Sequence, residues 1–350
     1  MVRPEAARIS DGSPQPIVHR AARIEDAFHR WRERNGRRRG LVTTIIPYAG
    51  YGGPGWARVL CRVVLTRGDD APKQRAAKVR GWRSFFSIPV NDVDVTISIG
   101  SVERRVRPAR GGIVDVRVEV DLTTGWCKVR MHADETEPVS SRVFVVDPDA
   151  PFGILSDVDD TVMVTALPRP FLAAWNTFVL DEHARRPVAG MAVLYDRLTR
   201  ANPGAPVIYL STGAWNVAPT LNRFLARHLY PRGPLLLTDW GPTHDRWFRS
   251  GRDHKRSSLE RMVRDFPAMK WLLIGDDGQH DESIYREFAA AHPDNVAAVA
   301  IRQLSTSEAV FAGGRSKAAE HEANSAVRWF YAPDGAGLCK QLVHAGLLTP

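Results

Sequence analysis

The 350-residue chain is poor in cysteine, with Cys61, Cys127 and Cys339 its three examples. They lie far apart and form no CxxC pair, which argues against a disulfide framework or a thiolate zinc site and fits a reducing cytosol. No run of about 18 apolar residues occurs, so a membrane-spanning helix is not expected. The opening stretch MVRPEAARISDGSPQP has no apolar core of the kind a secretory leader carries. A cytoplasmic protein, peripheral to the membrane at most, is the expectation. What is present is ordinary for a globular chain: 44% hydrophobic and 25% charged residues, against disorder or a fibrous class. The net charge of +9 is unevenly placed, since residues 1–150 hold 26 Lys/Arg against 18 Asp/Glu and the remainder is near balance.

Three stretches of different character follow one another. Residues 1–40 begin as a tail rich in Pro, Gly, Ser and Arg. They continue with Ile24, Ala27, Phe28 and Trp31 at the spacing of one helix face. The spacing predicts a helix over 21–34 that Gly36 stops, just before Arg37, Arg38 and Arg39. This basic segment reads as a membrane-surface helix, as a nucleic-acid arm, or as a helix docked on the domain that follows; nucleic acid is the least expected partner.

Residues 41–148 change to period two. Val114, Val116, Val118 and Val120 alternate with Asp115, Arg117, Glu119 and Asp121, the pattern of a strand with one wet face. Similar runs at 42–48, 57–66, 93–99, 127–132 and 142–146, separated by turns such as 68–70 and 123–125, predict a small antiparallel β-sandwich. Gly50–Gly55 is a hairpin turn and not a phosphate loop, because no GK[ST] follows it.

From Pro151 to about residue 345, short apolar runs alternate with helical stretches. The runs 152–155, 207–210, 235–237, 271–274 and 296–301 read as buried parallel strands of an α/β domain. Ligands of such sheets bind at the carboxyl ends of the strands. There the sequence places Asp157, Asp159 and Asp160 after the first run, and Ser211-Thr212-Gly213 after the second. Asp276, Asp277 and Asp281 follow the fourth, and Lys255 stands in a stretch leading into a helix. Crowded carboxylates repel one another and are costly without a cation, for which Mg²⁺ with oxygen ligands is suited. Each piece alone also reads as a capped helix, a turn or a solvated lysine; the four in order do not.

Asp157-Val-Asp159-Asp-Thr161, Ser211, Lys255 and Asp276 with Asp277 or Asp281 resemble the four-part pattern of haloacid-dehalogenase-type phosphatases. Leu210-Ser-Thr-Gly-Ala-Trp-Asn216, His254-Lys255 and Gly275–Tyr285 are more narrowly similar to the catalytic domain of the actin-patch type of phosphatidate phosphatase, with lipins as distant cousins. The resemblance implies a Rossmann-like parallel sheet and a Mg²⁺-dependent phosphomonoesterase acting on phosphatidate at an anionic membrane surface. It implies Asp157 as nucleophile and Asp159 as general acid and base. Thr161, Ser211, Thr212 and Lys255 would hold phosphate, and Asp157, Asp159, Asp276, Asp277 and Asp281 would supply the metal site. A helix beginning near Thr161 would add its positive end. The alternatives are a phosphatase of a soluble phosphomonoester and a non-catalytic phospholipid-binding module. Phe171–Leu180, Trp215 and Trp240 would touch acyl chains or fill core, and His244, His254 and His280 would hydrogen-bond near the phosphate. Because every mechanistic residue follows Pro151, this segment is expected to keep its chemistry without residues 1–148.

Overall fold

A computed structural model describes residues 30–67, 87–133, 136–164, 186–238, 244–278, 280–306, 308–309 and 326–349. The N-terminal tail, the first part of the expected helix at 21–34, the turn at 68–70, the apolar stretch Phe171–Leu180 and Trp240 lie outside these residues.

Residues 30–38 are helical, so Gly36 does not stop the helix. A Cβ at Gly36 would stand 2.9 Å from Ile88 and Leu65 side-chain carbons. The glycine is there for close approach to the sheet, and the chain reverses at Gly40, where φ is +76°.

The period-two region forms β1 (Leu41–Gly53), β2 (Trp56–Arg67), β3 (Ile88–Pro89) and β4 (Val95–Ile99). It continues with β5 (Val102–Val106), β6 (Ile113–Glu119), β7 (Gly125–Ala133) and β8 (Val139–Val145). All belong to one eight-stranded sheet of order β3-β2-β1-β8-β7-β4-β5, with β6 on β2. Two findings differ from an antiparallel sandwich. The sheet is continuous, curling over a single core that joins Val59, Cys61 and Val118 to Ile97, Val129 and Met131. One pairing is parallel, between β1 and β8 at Gly50–Gly52 and Val143–Val145. The alternation of β6 is present, with Val114 and Val118 buried and Asp115, Arg117 and Glu119 exposed.

The second region contributes β9 (Phe152–Asp157), β10 (Met163–Val164), β11 (Arg186–Pro187), β12 (Val207–Ala214) and β13 (Leu235–Thr238). After these come β14 (Lys270–Asp276), β15 (Val296–Arg302) and β16 (Trp329–Ala332). Six of them form a sheet of order β13-β12-β9-β14-β15-β16, parallel at every pairing. Helices Met191–Ala201, Ala218–Arg227, His244–Asp265, Asp281–Ala291 and Gly335–His344 accompany it. β9, β12, β13, β14 and β15 are buried nearly throughout, as parallel strands covered on both faces must be, while the edge strand β16 is mostly half-buried. The last strand and helix show that the segment after residue 305, which carries no motif, completes the sheet.

The two sheets share apolar packing. Ile46, Tyr48, Tyr51, Trp56 and Leu60 of the curled sheet belong to the same buried cluster as Ile154, Leu273 and Phe266. Tyr51 donates to Asp265 Oδ2 at 2.9 Å, and Arg261 reaches Asp115 Oδ2 at 3.0 Å. No helix among the described residues is long and apolar enough to cross a membrane.

Candidate active site

Parallel pairing brings the motif residues to one edge. Asp157 is aligned with Leu210 of β12, and Ser156 with Ile274 of β14. Ser211 and Asp276 therefore emerge beside Asp157. Lys255 arrives from the helix His244–Asp265, well inside it, and not from a stretch leading into a helix. Lys255, Ser258, Leu259 and Met262 are all buried, at the spacing of one face turned to the sheet.

At this edge three carboxylates meet. One oxygen each from Asp157, Asp276 and Asp281 lies within 4.8 Å of the others, and all three residues are at most 9% exposed. Lys255 Nζ stands 2.5 Å from Asp157 Oδ1 and also bonds Asp281. Burial, then Asp281, push the Asp157 carboxyl well above the ordinary range, with Lys255 opposing. Asp276 is raised in the same way, by burial and then by Asp281 and Asp160. Burial pulls Lys255 down, but Asp157 and Asp281 outweigh it and hold the ammonium charged. One ammonium cannot neutralise three carboxylates in a dry site.

The remaining motif residues surround this trio in distinct ways. Asp159 lies outside it, and Ser211 Oγ donates to Asp159 Oδ2 at 2.9 Å while accepting from Gly213 N–H at 3.0 Å. Thr161 is fully buried, and its Oγ1 has no hydrogen-bond partner. Thr212 lends its carbonyl to Thr238 Oγ1 at 3.1 Å. Asp277 also stands apart from the trio: its Oδ1 accepts from Leu304 N–H at 2.8 Å. No helix starts at Thr161. Asp160 takes a left-handed φ of 55°, and the chain turns into β10 with Asp160 N–H bonded to Met163 O. The expected positive helix end is replaced by this tight turn. His254 points its Nε2 at Leu236 O, 3.3 Å away, and burial lowers its pKa to about 4. Nothing is described of the His244 side chain.

Two glycines make the acidic cluster possible. A Cβ on Gly278 would stand 2.4 Å from Asp276 Oδ1, the atom that accepts its N–H at 2.6 Å. A Cβ on Gly275 would press on Tyr285 at 2.7 Å and on Asp281 Oδ2 at 2.9 Å. The glycines of this motif thus bring the backbone close to the carboxylates.

Arg302 was not singled out by sequence reasoning. It is 6% exposed and donates to Asp160 O at 2.7 Å and Glu308 Oε1 at 2.7 Å, tying the first acidic turn to the segment after β15. An arginine closing the apolar run 296–301 is the signal that could have found it. Trp215 also turns out not to line a mouth: it is buried, stacks on Tyr48 at 4.8 Å, and its carbonyl accepts from Tyr48 Oη at 3.0 Å.

With this arrangement in view, the comparisons with known proteins are specific. Residues 152–303 match the family model of the catalytic domain of phosphatidate phosphatase APP1. The resemblance read from the motifs holds over these residues. Phosphatidate phosphatase APP1 of Saccharomyces cerevisiae is 26% identical over 194 residues, 55% of this chain and 32% of that protein. An uncharacterised protein of Schizosaccharomyces pombe is 29% identical over 165 residues, 47% of this chain and 27% of that one. The matches thus span about a third or less of these relatives' own length. A carbohydrate acetylesterase from Xanthomonas citri overlays with a TM-score of 0.28 at 11% identity, over 75% of this chain and 69% of that one, too low to carry an argument. The APP1-type segment contains the buried trio, Lys255, Ser211 and Arg302, and leaves β16 outside.

The cluster also fits the divalent cation that the motifs imply. Its donors are all carboxylate oxygens, the ligands of a hard cation. Asp281 Oδ2 is buried without a hydrogen-bond partner, and the excess negative charge is what such an ion would balance.

Proposed function

We propose that this protein is a haloacid-dehalogenase-type phosphomonoesterase that hydrolyses phosphatidate to diacylglycerol and phosphate. The observation that carries the reading is the buried trio of Asp157, Asp276 and Asp281 with Lys255, inside a segment matching the APP1 catalytic domain.

Asp157 attacks phosphorus; a carboxylate oxygen–phosphorus bond forms as the bond to the glycerol oxygen breaks, which divides one difficult displacement into two. Asp159 gives its proton to the departing alkoxide, then takes one from the water that cleaves the aspartyl-phosphate, restoring both carboxyl groups. Ser211, on Asp159 Oδ2, orients that carboxyl group. Lys255 holds negative charge on Asp157 and faces the oxygens of the phosphoryl group, electrostatic support that is in place before reaction. Thr161, with its unpartnered hydroxyl, and Thr212 are the remaining phosphate-binding candidates. Asp157, Asp276 and Asp281 would hold Mg²⁺, which when bound supplies charge neutralisation at the transferred phosphoryl group. Asp277 supports this edge through Leu304.

The test is phosphate release from phosphatidate in mixed micelles and from soluble glycerol phosphate, each with Mg²⁺ and with EDTA. Mg²⁺-dependent turnover of phosphatidate in preference to glycerol phosphate is expected. Preference for the soluble ester would replace the substrate. Full activity in EDTA would remove the metal from the reading.

A further inference from the structure

The outer face of the curled sheet carries a row of cations that have no counter-ion among the described residues. In β7, Val129, Met131 and Ala133 enter the core, so Trp126, Lys128, Arg130 and His132 take the opposite face. Across the antiparallel pairing Arg142 of β8 stands opposite Lys128, and Phe144 opposite Trp126. On the other side Ser98 of β4 is aligned with Arg130, and Thr96 with both His132 and Arg105. Arg105, Lys128, Arg130 and Arg142 are all exposed. None of the four makes an ion pair or side-chain hydrogen bond among the described residues. Glu103, aligned with Ser98 on this same face, is the only acidic residue in β4, β5, β7 and β8, against these four cations.

Like charges directly opposite across a strand pair cost stability, yet Lys128 faces Arg142. No described residue pairs with either to offset that cost, whereas an anionic partner would. The row ends at the half-buried Trp126, in edge contact with Phe144 at a centroid distance of 5.2 Å, and Phe144 itself packs against the apolar cluster shared with the parallel sheet. The outer face of the curled sheet offers neither a helix nor a two-stranded ribbon projecting into a nucleic-acid groove. Exposed cations beside Trp126 suit the phosphate-bearing surface of a bilayer, where basic groups are drawn to anionic headgroups and aromatic rings settle at the interface.

We propose that Arg105, Lys128, Arg130 and Arg142 form a docking face for anionic membrane lipid. The choice of lipid as partner rests on the reading of the substrate as phosphatidate. The face is separate from the carboxylate trio, so its ligand need not be the substrate.

Sedimentation of the full chain with phosphatidylcholine vesicles, doped or not with phosphatidylserine, tests it without involving the substrate. The intact protein should bind the doped vesicles alone, and release as salt rises towards about 1 M, where the Debye length shrinks to about 3 Å. Arg105→Gln, Lys128→Gln, Arg130→Gln and Arg142→Gln together should weaken binding about 100-fold or more. Turnover of soluble p-nitrophenyl phosphate should not change. Lys128→Glu alone, which sets a carboxylate opposite Arg142, should weaken binding while raising the melting temperature, so lost binding cannot be mistaken for lost folding. Unchanged binding by the fourfold variant overturns the proposal. So does binding that disappears with Arg37→Gln, Arg38→Gln and Arg39→Gln but not with the fourfold change, or a face that retains a single-stranded oligonucleotide and ignores vesicles. A protein that docks through this face yet leaves phosphatidate intact keeps the proposal and removes the substrate reading.

Discussion

The curled sheet and the parallel sheet handle buried polarity in opposite ways. The core of the curled sheet is apolar throughout, from Ile45 to Val145, with Thr44 and Thr96 as the buried polar side chains of its strands. The parallel sheet buries Asp157, Ser211, Lys255, Asp276, Asp277, Asp281 and Arg302 at or beside its carboxyl edge. One region gathers stability; the other spends part of it to hold like charges together, since buried carboxylates are costly unless paired or neutralised. The seam between them is not an afterthought. Tyr48, Tyr51 and Trp56 complete the apolar packing of the parallel sheet. Residues 1–148 supply none of the site's carboxylates, yet their removal would expose that packing. An isolated C-terminal segment is therefore expected to be insoluble or inactive, contrary to what the placement of the motifs alone suggests.

The largest expected effects lie at the polar edge. Asp157→Asn should bring turnover to background with no phosphoenzyme, leaving the curled sheet intact by circular dichroism. Because one of three crowded carboxylates is removed, its melting temperature without Mg²⁺ should not fall; a large drop would mean that Asp157 is a structural residue. Asp159→Asn should cost roughly 10²–10⁴-fold on phosphatidate and less on an activated aryl phosphate, the measure of lost proton transfer. Equal losses on both esters would remove Asp159 from that role.

How much of this was legible depended on distance along the chain. Strands announced by local runs were found within a few residues, because burial on two faces demands continuous apolar sequence. The meeting of Asp157 and Asp276 was readable too, since each closes a strand of one parallel sheet, whereas the choice of Asp281 over Asp277 beside them was left open. What could not be read was which carboxylate turns where. Asp277 neighbours Asp276, yet it satisfies Leu304 N–H, a backbone group placed by the chain after β15. Gly36 looked like a helix stop because its close packing against Leu65 and Ile88 is a tertiary fact. The contact of Tyr48 with Trp215 joins residues separated by 167 positions and leaves no local trace. β5 escaped because its three central residues, Glu103, Arg104 and Arg105, are exposed and its pattern carries little apolar signal.

A smaller effect distinguishes the regions by pH. Burial lowers the His254 pKa from 6.5 to about 4, with Leu236 O opposing and Arg261 and Lys255 adding to the fall. The folded state thus keeps the imidazole neutral where the unfolded chain binds a proton. Its contribution is fully present above pH 6.5 and is lost as pH falls towards 4. Relative to His254→Gln, the parent protein should lose on the order of 3 kcal/mol across that window. Denaturant unfolding of both proteins at each pH gives the difference, in which the titrations of Asp157 and Asp276 cancel. A difference independent of pH would place His254 in water.

The smallest expected effect bears most directly on the seam. Tyr48→Phe keeps the ring that stacks on Trp215 and removes the hydroxyl that donates to Trp215 O. A buried hydrogen bond of this kind contributes about 1 kcal/mol, and somewhat more is lost if the carbonyl is left unsatisfied. The same loss is expected for Tyr51→Phe, whose hydroxyl serves Asp265 at the far end of the helix carrying Lys255. The two differ in what they touch. Trp215 follows Ser211-Thr212-Gly213 by two residues, so slack in its carbonyl should move the Ser211 hydroxyl that orients Asp159. Tyr48→Phe should then lower kcat several-fold on a soluble ester, whereas Tyr51→Phe, at similar stability, should leave it unchanged. Equal kcat values in the two variants would mean that the curled sheet supports the fold of its neighbour without tuning its chemistry. A loss confined to Tyr48→Phe would mean that the apolar region reaches into the reaction through one carbonyl.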